Sequence, residues 1–212
     1  MSAPFSYEQQ GSYTWEQYLA LEAQSEERYE YHDGRIVAMA GGSLRHNRII
    51  NRIARIVGNV LKPGCELFTE SIRLYRYQQK SWFYPDIIIS CNPLDLQSNS
   101  GIKNPLLVVE VLSDSTAQVD ATFKLHEYIR IPSLRHYLLV AQEECRVTHY
   151  FRTNSTELWN LQIFTEMQDV IDLPEVGMQL TLAQVYEGVR FGSETLLLEE
   201  EAALYGTDLP QN

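Results

Sequence analysis

The chain has 212 residues, 44% hydrophobic and 21% charged, which is enough for one sizeable core and too little for two full domains. Its 11% aromatic content excludes disorder as the default, and no apolar run approaches the roughly 18 residues of a membrane span. Net charge is −11, which taken alone disfavours a nucleic-acid partner; however, residues 166–212 hold ten acids and one arginine, leaving 18 acidic and 16 basic residues in 1–165, where a local basic surface remains open.

Met1 to Tyr13 is polar and lacks a basic-then-apolar leader, so a cytoplasmic chain is expected. Thr14 with Gln17 three residues on is a capping-box pattern and predicts a helix through about Ala23. Asp33-Gly34 is a turn signal between Tyr29–Tyr31 and Ile36–Met39, predicting a hairpin or a helix-to-strand corner. Ser43 caps a second predicted helix, with Ile49, Ile50, Ile53, Ile56, Val57, Val60 and Leu61 at helical spacing and Pro63-Gly64 as its stop. Ser71 to Tyr77 and Trp82 to Ser90 read as strands, and Asn92 to Asn104 as a loop.

Leu106 to Leu112 is a continuous apolar run broken by Glu110 alone, as suits a strand buried on both faces. A helix from about Thr116 to Arg130, stopped by Pro132, leads to a second buried strand over Arg135–Ala141, and strand–helix–strand predicts a parallel crossover. Arg146–Arg152, Glu157–Phe164 and Asp169–Leu173 read as further, antiparallel strands, and Thr181 caps a short helix through Tyr186. The predicted architecture is a mixed α/β (α+β) domain over residues 1–195, followed by an acidic tail, 196–212. Cys65, Cys91 and Cys145 are odd in number and lack a Cys-x-x-Cys spacing, so buried free thiols are expected.

An ionised carboxylate inside a buried strand is costly unless it is paired or binds a metal, which singles out Glu110. Asp86 sits between Tyr84-Pro85 and Ile87-Ile88-Ile89; Pro85 cannot donate to a ladder, so a bulge or strand edge is predicted there, and such irregularities aim side chains at sites. Two acids at neighbouring strand ends make a hard-oxygen site suited to Mg²⁺ or Mn²⁺; the competing account is a structural salt bridge, for instance to a buried arginine. Lys124 lies four residues after Asp120 on the border of the predicted apolar face, and spacing alone favours a solvent-exposed helix pair. Arg45, Arg48, Arg52 and Arg55 fall on one side of the second helix, with His46 beside them. The stripe is either a solvated face or a track for phosphates.

Glu30 with Asp33-Gly34-Arg35-Ile36-Val37, then Gly41-Gly42-Ser43 and His46, resembles the opening of the Uma-type family of restriction-endonuclease-like proteins, within the PD-(D/E)XK superfamily. Tyr84-Pro85-Asp86-Ile87-Ile88 is similar to its PD motif. Val109-Glu110-Val111-Leu112-Ser113, Asp120, Lys124, Tyr128, Pro132-Ser133-Leu134 and Tyr137-Leu138-Leu139-Val140 match its central signature in order and spacing, so the resemblance spans about 14–191. It implies a mixed central sheet flanked by helices, with Asp86, Glu110 and the Val111 carbonyl holding a metal and Lys124 attending the attacking water and the phosphate charge. Glu30 and His46 would complete the site. The superfamily lysine two residues after the acid is Leu112 here, so Lys124 must reach back from the next helix.

The resemblance implies a metal-dependent endonuclease hydrolysing DNA phosphodiester bonds, with no organic cofactor and no membrane, and a homodimer if both strands are cut. The alternative is a catalytically inactive nuclease-fold DNA-binding or regulatory module, and a third reading is a structural domain whose acids pair with arginines.

Overall fold

A computed structural model describes residues 12–25, 27–39, 42–76, 81–113, 117 and 120–192. The first helix, α1 (Trp15–Gln24), opens on the expected capping box: Thr14 accepts from the Gln17 backbone while Gln17 accepts from the Thr14 N–H. Strands β1 (Tyr29–His32) and β2 (Arg35–Ala38) form the hairpin form of the two predicted alternatives. Asp33 and Gly34, at φ 47° and 89°, supply the two left-handed residues that a tight hairpin turn needs.

Helix α2 (Leu44–Val60) is capped by Ser43 and buries Ile49, Ile50, Ile53 and Val57. β3 (Glu66–Thr69), which the sequence pattern did not announce, follows it, and then β4 (Leu74–Arg76). The single strand expected over Trp82–Ser90 is two: β5 (Ser81–Phe83) and β6 (Ile87–Ser90), in different sheets. Pro85 stands in the break between them, where no ladder N–H is required. The expected 92–104 loop contains a short helix, α3 (Pro93–Leu96).

After β7 (Leu107–Leu112), the crossover is a π-helical segment over Asp120–Lys124 continuing into α4 (Leu125–Tyr128), where an ordinary α-helix was expected. β8 (His136–Ala141) then runs parallel to β7, as the crossover pattern predicted. β9 (Val147–Phe151) and β10 (Asn160–Phe164) are antiparallel, while β11 (Val170–Leu173) pairs with β12 (Met178–Thr181), another strand not anticipated. Thr181 caps α5 (Leu182–Val185) with a second capping box. The acidic tail expected from 196 lies outside the described residues.

The main sheet is mixed, in the order β10-β9-β8-β7-β6-β3; a smaller sheet has the order β2-β1-β5-β4. One face of the main sheet packs Ile87, Ile89, Val109 and Leu138 against α2 and the β11–β12–α5 segment. On the other face Ile88, Val108, Tyr137 and Leu139 pack with Leu74, Phe83 and Tyr128. Each fully buried side chain of this kind stabilises the fold by about 1.5–3 kcal/mol. No helix among the described residues is long and apolar enough to cross a membrane.

The cysteine expectation is corrected. Cys65 and Cys91 flank the Glu66–Ser90 pair of the β3–β6 ladder, face each other across it and form a disulfide; only Cys145 is a free thiol. Strand pairing across a 26-residue separation brings them together, which no local spacing signals.

Candidate active site

The break at Pro85 positions Asp86. Ile87 pairs with Val109, so Asp86, one residue earlier, falls beside Glu110 at the same end of the sheet. Asp86 Oδ2 accepts the Val111 N–H at 2.6 Å, and its backbone carbonyl accepts from Glu70 at 3.0 Å. Alternation along β7 turns Val109 and Val111 to the α2 face and Val108 and Glu110 to the opposite one.

On that face Glu110 meets the π-helical segment. Its Oε1 accepts from Tyr128 Oη at 2.9 Å and lies 3.2 Å from Lys124 Nζ. Lys124 Nζ also lies 3.0 Å from Glu30 Oε1 and 3.0 Å from Asp120 Oδ1. The solvent-exposed Asp120–Lys124 pair that spacing favoured is thereby corrected: both residues are buried, at 2% and 6% exposure. The wide π turn stacks the two side chains inward over β7, an arrangement that π segments commonly adopt at functional sites. Glu30 is committed on both oxygens, Oε1 accepting the Tyr84 N–H at 3.0 Å and Oε2 lying 2.9 Å from His32 Nε2. Glu110 is thus paired with a lysine and a tyrosine rather than with the buried arginine of the structural reading.

Three carboxylates, those of Glu30, Glu110 and Asp120, surround one ammonium. Burial works against the Lys124 charge, but Asp120, Glu110 and Glu30 outweigh it and hold the ammonium well above the usual lysine range. Burial likewise opposes ionisation of Glu30, yet Lys124 and His32 and the Tyr84 N–H bring its carboxyl down to about 2. Glu110 goes the other way: burial raises it, Lys124 only partly offsets this, and Asp120, Asp86 and Glu30 push it further up, well above the carboxylate range. The site therefore carries more negative charge than its lysine neutralises, and Glu110 is where the surplus is felt.

His46, in the first turn of α2, reaches Asp86 Oδ2 at 3.2 Å. Burial lowers its proton affinity, but Asp86, Glu70 and the Val111 backbone more than restore it, so it sits above the usual histidine value. Its buried Nδ1 has no hydrogen-bond partner, and Gly42 leaves it room: a Cβ there would come within 2.9 Å. The structure thus gathers Asp86, Glu110, Val111, Lys124, Glu30 and His46 into one connected cluster. Sequence reasoning missed His32, the burial of Asp120 and the clamp of Tyr128 on Glu110; the tyrosine four residues after Lys124 was the available signal.

The arginine stripe divides. Arg45 bonds Glu143, the Gln142 carbonyl and the Gly192 carbonyl, and Arg52 pairs with Glu187 at 2.7 Å. Arg48 and Arg55 stand exposed on the same side of α2.

A family model described as "Uma2: Putative restriction endonuclease" matches residues 15–183. Two uncharacterized proteins of Synechocystis sp. are similar over most of their lengths. The one called slr1290 is 33% identical over 83% of this chain and 92% of its own, and sll1609 is 32% identical over 73% and 89%. Among solved structures, a "putative nuclease belonging to DUF820" from Anabaena variabilis superposes with a TM-score of 0.67 at 20% identity, covering 84% of this chain and 99% of that one. At that identity the likeness establishes a shared fold.

Proposed function

The chain belongs to the Uma2 family of restriction-endonuclease-like proteins, and from that premise and its carboxylate cluster we propose that it is a Mg²⁺- or Mn²⁺-dependent endonuclease hydrolysing DNA phosphodiester bonds. The observation that carries the reading is the lock between Asp86 Oδ2 and the Val111 N–H, which sets Asp86, Glu110 and the Val111 carbonyl at one strand end beside a buried lysine.

The donor set fits a hard divalent ion. Asp86, Glu110 and Val111 offer oxygens only, and the surplus negative charge that raises Glu110 is what a cation would relieve. Among the described residues no three His, Cys, Asp or Glu side chains are arranged to hold a metal ion by themselves, so two carboxylates, a carbonyl and retained waters would make up the shell, as Mg²⁺ prefers. When bound, the ion would polarise a phosphate oxygen and lower the pKa of its water.

The chain's own residues supply the rest. Glu30 and Asp120 hold Lys124 charged and aimed at Glu110, where its ammonium can orient the attacking water and stabilise negative charge growing on the phosphate. Tyr128 fixes Glu110, occupying Oε1 together with Lys124. His46 neighbours Asp86 and holds its proton more tightly than a free imidazole does. Arg48 and Arg55 are the members of the α2 stripe best placed to track a DNA backbone, with Arg45 and Arg52 at its flank. We place the chain in the cytoplasm, without an organic cofactor, and acting as a homodimer where both strands are cut.

A second reading is a DNA-binding or regulatory module without turnover. What favours it is the three-carboxylate cage on Lys124, which competes with a phosphate for the ammonium. Plasmid nicking with Mg²⁺ or Mn²⁺ separates the two. Metal-dependent cleavage lost in Asp86→Asn and in Glu110→Gln supports the enzyme. Cleavage undiminished in either variant overturns the assignment, and salt-sensitive DNA binding without cleavage supports the module.

A further inference from the structure

The two edges of the main sheet are treated differently. At one end β3 is guarded: it carries Glu66, follows Lys62-Pro63 and is bonded covalently to β6 through Cys65–Cys91. At the other end lies β10, Asn160-Leu161-Gln162-Ile163-Phe164, paired with β9 in unbroken register over all five residues. It has no bulge, no proline and no lysine, and from Leu158 to Thr165 there is no charged residue. Exposed apolar side chains gather along it. Of the ten large hydrophobic residues exposed among the described residues, five fall within 158–170: Leu158 at 89%, Leu161 at 55%, Ile163 at 49%, Val170 at 44% and Met167 at 41%. Natural sheets blunt a free edge, and an unguarded, flat, apolar edge is a template for another strand.

We propose that the β10 edge is the docking surface for a second copy of this chain, two β10 strands pairing antiparallel about a two-fold axis at Gln162. The occupant follows from complementarity and charge. An antiparallel strand satisfies the backbone donors and acceptors that β10 leaves unpaired among the described residues, and under a two-fold axis the same strand is its own complement. Leu161 then stands opposite the partner's Ile163, extending the Tyr150–Leu161 and Thr148–Ile163 pairs of the β9–β10 ladder into a shared apolar row. Two chains of net charge −11 repel, and an uncharged strip is where they can approach at least cost. The proposal deepens the two-copy part of the reading above, and it stands whether or not the protein turns over DNA.

The test is sedimentation of the full chain over a concentration series, without metal or DNA. A dimer is expected, with its dissociation constant raised at least roughly tenfold by Leu161→Lys with Ile163→Lys. The milder pair Leu161→Thr with Ile163→Thr, in a chain of native circular dichroism, should weaken it in the same direction. Gln162→Cys in a Cys145→Ser background should form a covalent dimer on oxidation through the two-fold axis. A monomer at every concentration, dimerisation unchanged by either pair, or a dimer that does not cross-link at 162 would each overturn the proposal. So would strong hydrogen-exchange protection of β10 in a monomer, which would mean that the chain's own residues 193–212 cover the edge. Cleavage by a monomer would leave the nuclease reading intact, and a β10 dimer that never cuts DNA would do the reverse.

Discussion

Lys124 Nζ lies 3.2 Å from Glu110 Oε1, although the two residues sit on a helix and a strand fourteen positions apart. Glu30 and Asp120 complete the ammonium's shell at 3.0 Å each. Lys124→Met keeps the length and removes the charge, leaving buried carboxylates without their cation. A loss of about 3–5 kcal/mol is expected in urea unfolding, the usual cost of breaking a buried ion pair from one side. Added Mg²⁺ should raise the melting temperature of the variant more than that of the parent, since the ion would then offset charge that the lysine no longer does. Equal shifts in the two would sink the idea that ion and ammonium share one electrostatic role.

Tyr128 Oη donates to the same Glu110 oxygen at 2.9 Å and is fully buried. Tyr128→Phe keeps the ring packing and deletes that donor, which should cost roughly 1–3 kcal/mol of stability. If the tyrosine also orients Glu110 toward a metal, the Mg²⁺ concentration giving half-maximal cleavage should rise severalfold. A merely structural tyrosine would lower stability and leave that concentration unchanged.

The divided arginine stripe gives a graded expectation. Arg48→Ala and Arg55→Ala should each weaken DNA binding and lower the salt slope by about one unit. Arg52→Ala, which breaks a pair with Glu187, should act mainly on stability and by less than about 1 kcal/mol. Filter binding over a salt series distinguishes these; a slope indifferent to Arg48 and Arg55 would remove α2 from the DNA interface.

A second buried chain of polar groups sets the acid limit of the fold. His149 Nε2 meets His136 Nδ1 at 3.0 Å, and His136 Nε2 meets Glu175 at 2.6 Å. Asp172, Arg135 and the Lys62 ammonium are the other charges nearby. Burial, and then the neighbouring His136, bring His149 down to about 3. Burial lowers His136 as well, against the pull of Glu175 and Asp172. His149 is therefore neutral in the fold and takes up a proton on unfolding between about pH 6.5 and 3, and the lowered His136 adds to this in the same direction. Stability should be full above that window and fall on acidification by about 1.4 kcal/mol per pH unit per proton. His149→Phe should flatten the profile; an unchanged slope would overturn the account.

Thiol titration of the native oxidised chain should count one reactive cysteine, Cys145, and three after reduction. Closing a loop of 26 residues predicts about 3.5 kcal/mol of stabilisation, so Cys65→Ser with Cys91→Ser should unfold at correspondingly lower urea. Three thiols in the oxidised chain would mean that the two cysteines are not bonded.

The sequence by itself determined what depends on neighbours along the chain. Thr14 with Gln17 and Thr181 with Gln184 are caps closed within one turn, and Asp33-Gly34 is a turn made by two residues. The apolar run around Glu110 declared both a buried strand and a carboxylate in need of a partner, and Pro85 marked the break that aims Asp86. Tertiary structure decided everything that depends on which strands meet. β3 and β12 are short and only half buried in pattern, so their pairing made them strands. The 82–90 segment looked continuous because both halves are apolar; two different sheets divide it. Cys65 and Cys91 meet only through the β3–β6 register. Lys124, four residues from Asp120, had the spacing of a solvent-exposed pair, and the π turn over β7 buried both. Asp86 and Glu110 were visible as acids that needed a reason; their partners came from strand register for Val111, from α2 for His46, and from the 120–128 segment packed over the strand end for Tyr128 and a triply bridged Lys124, none of which local periodicity encodes.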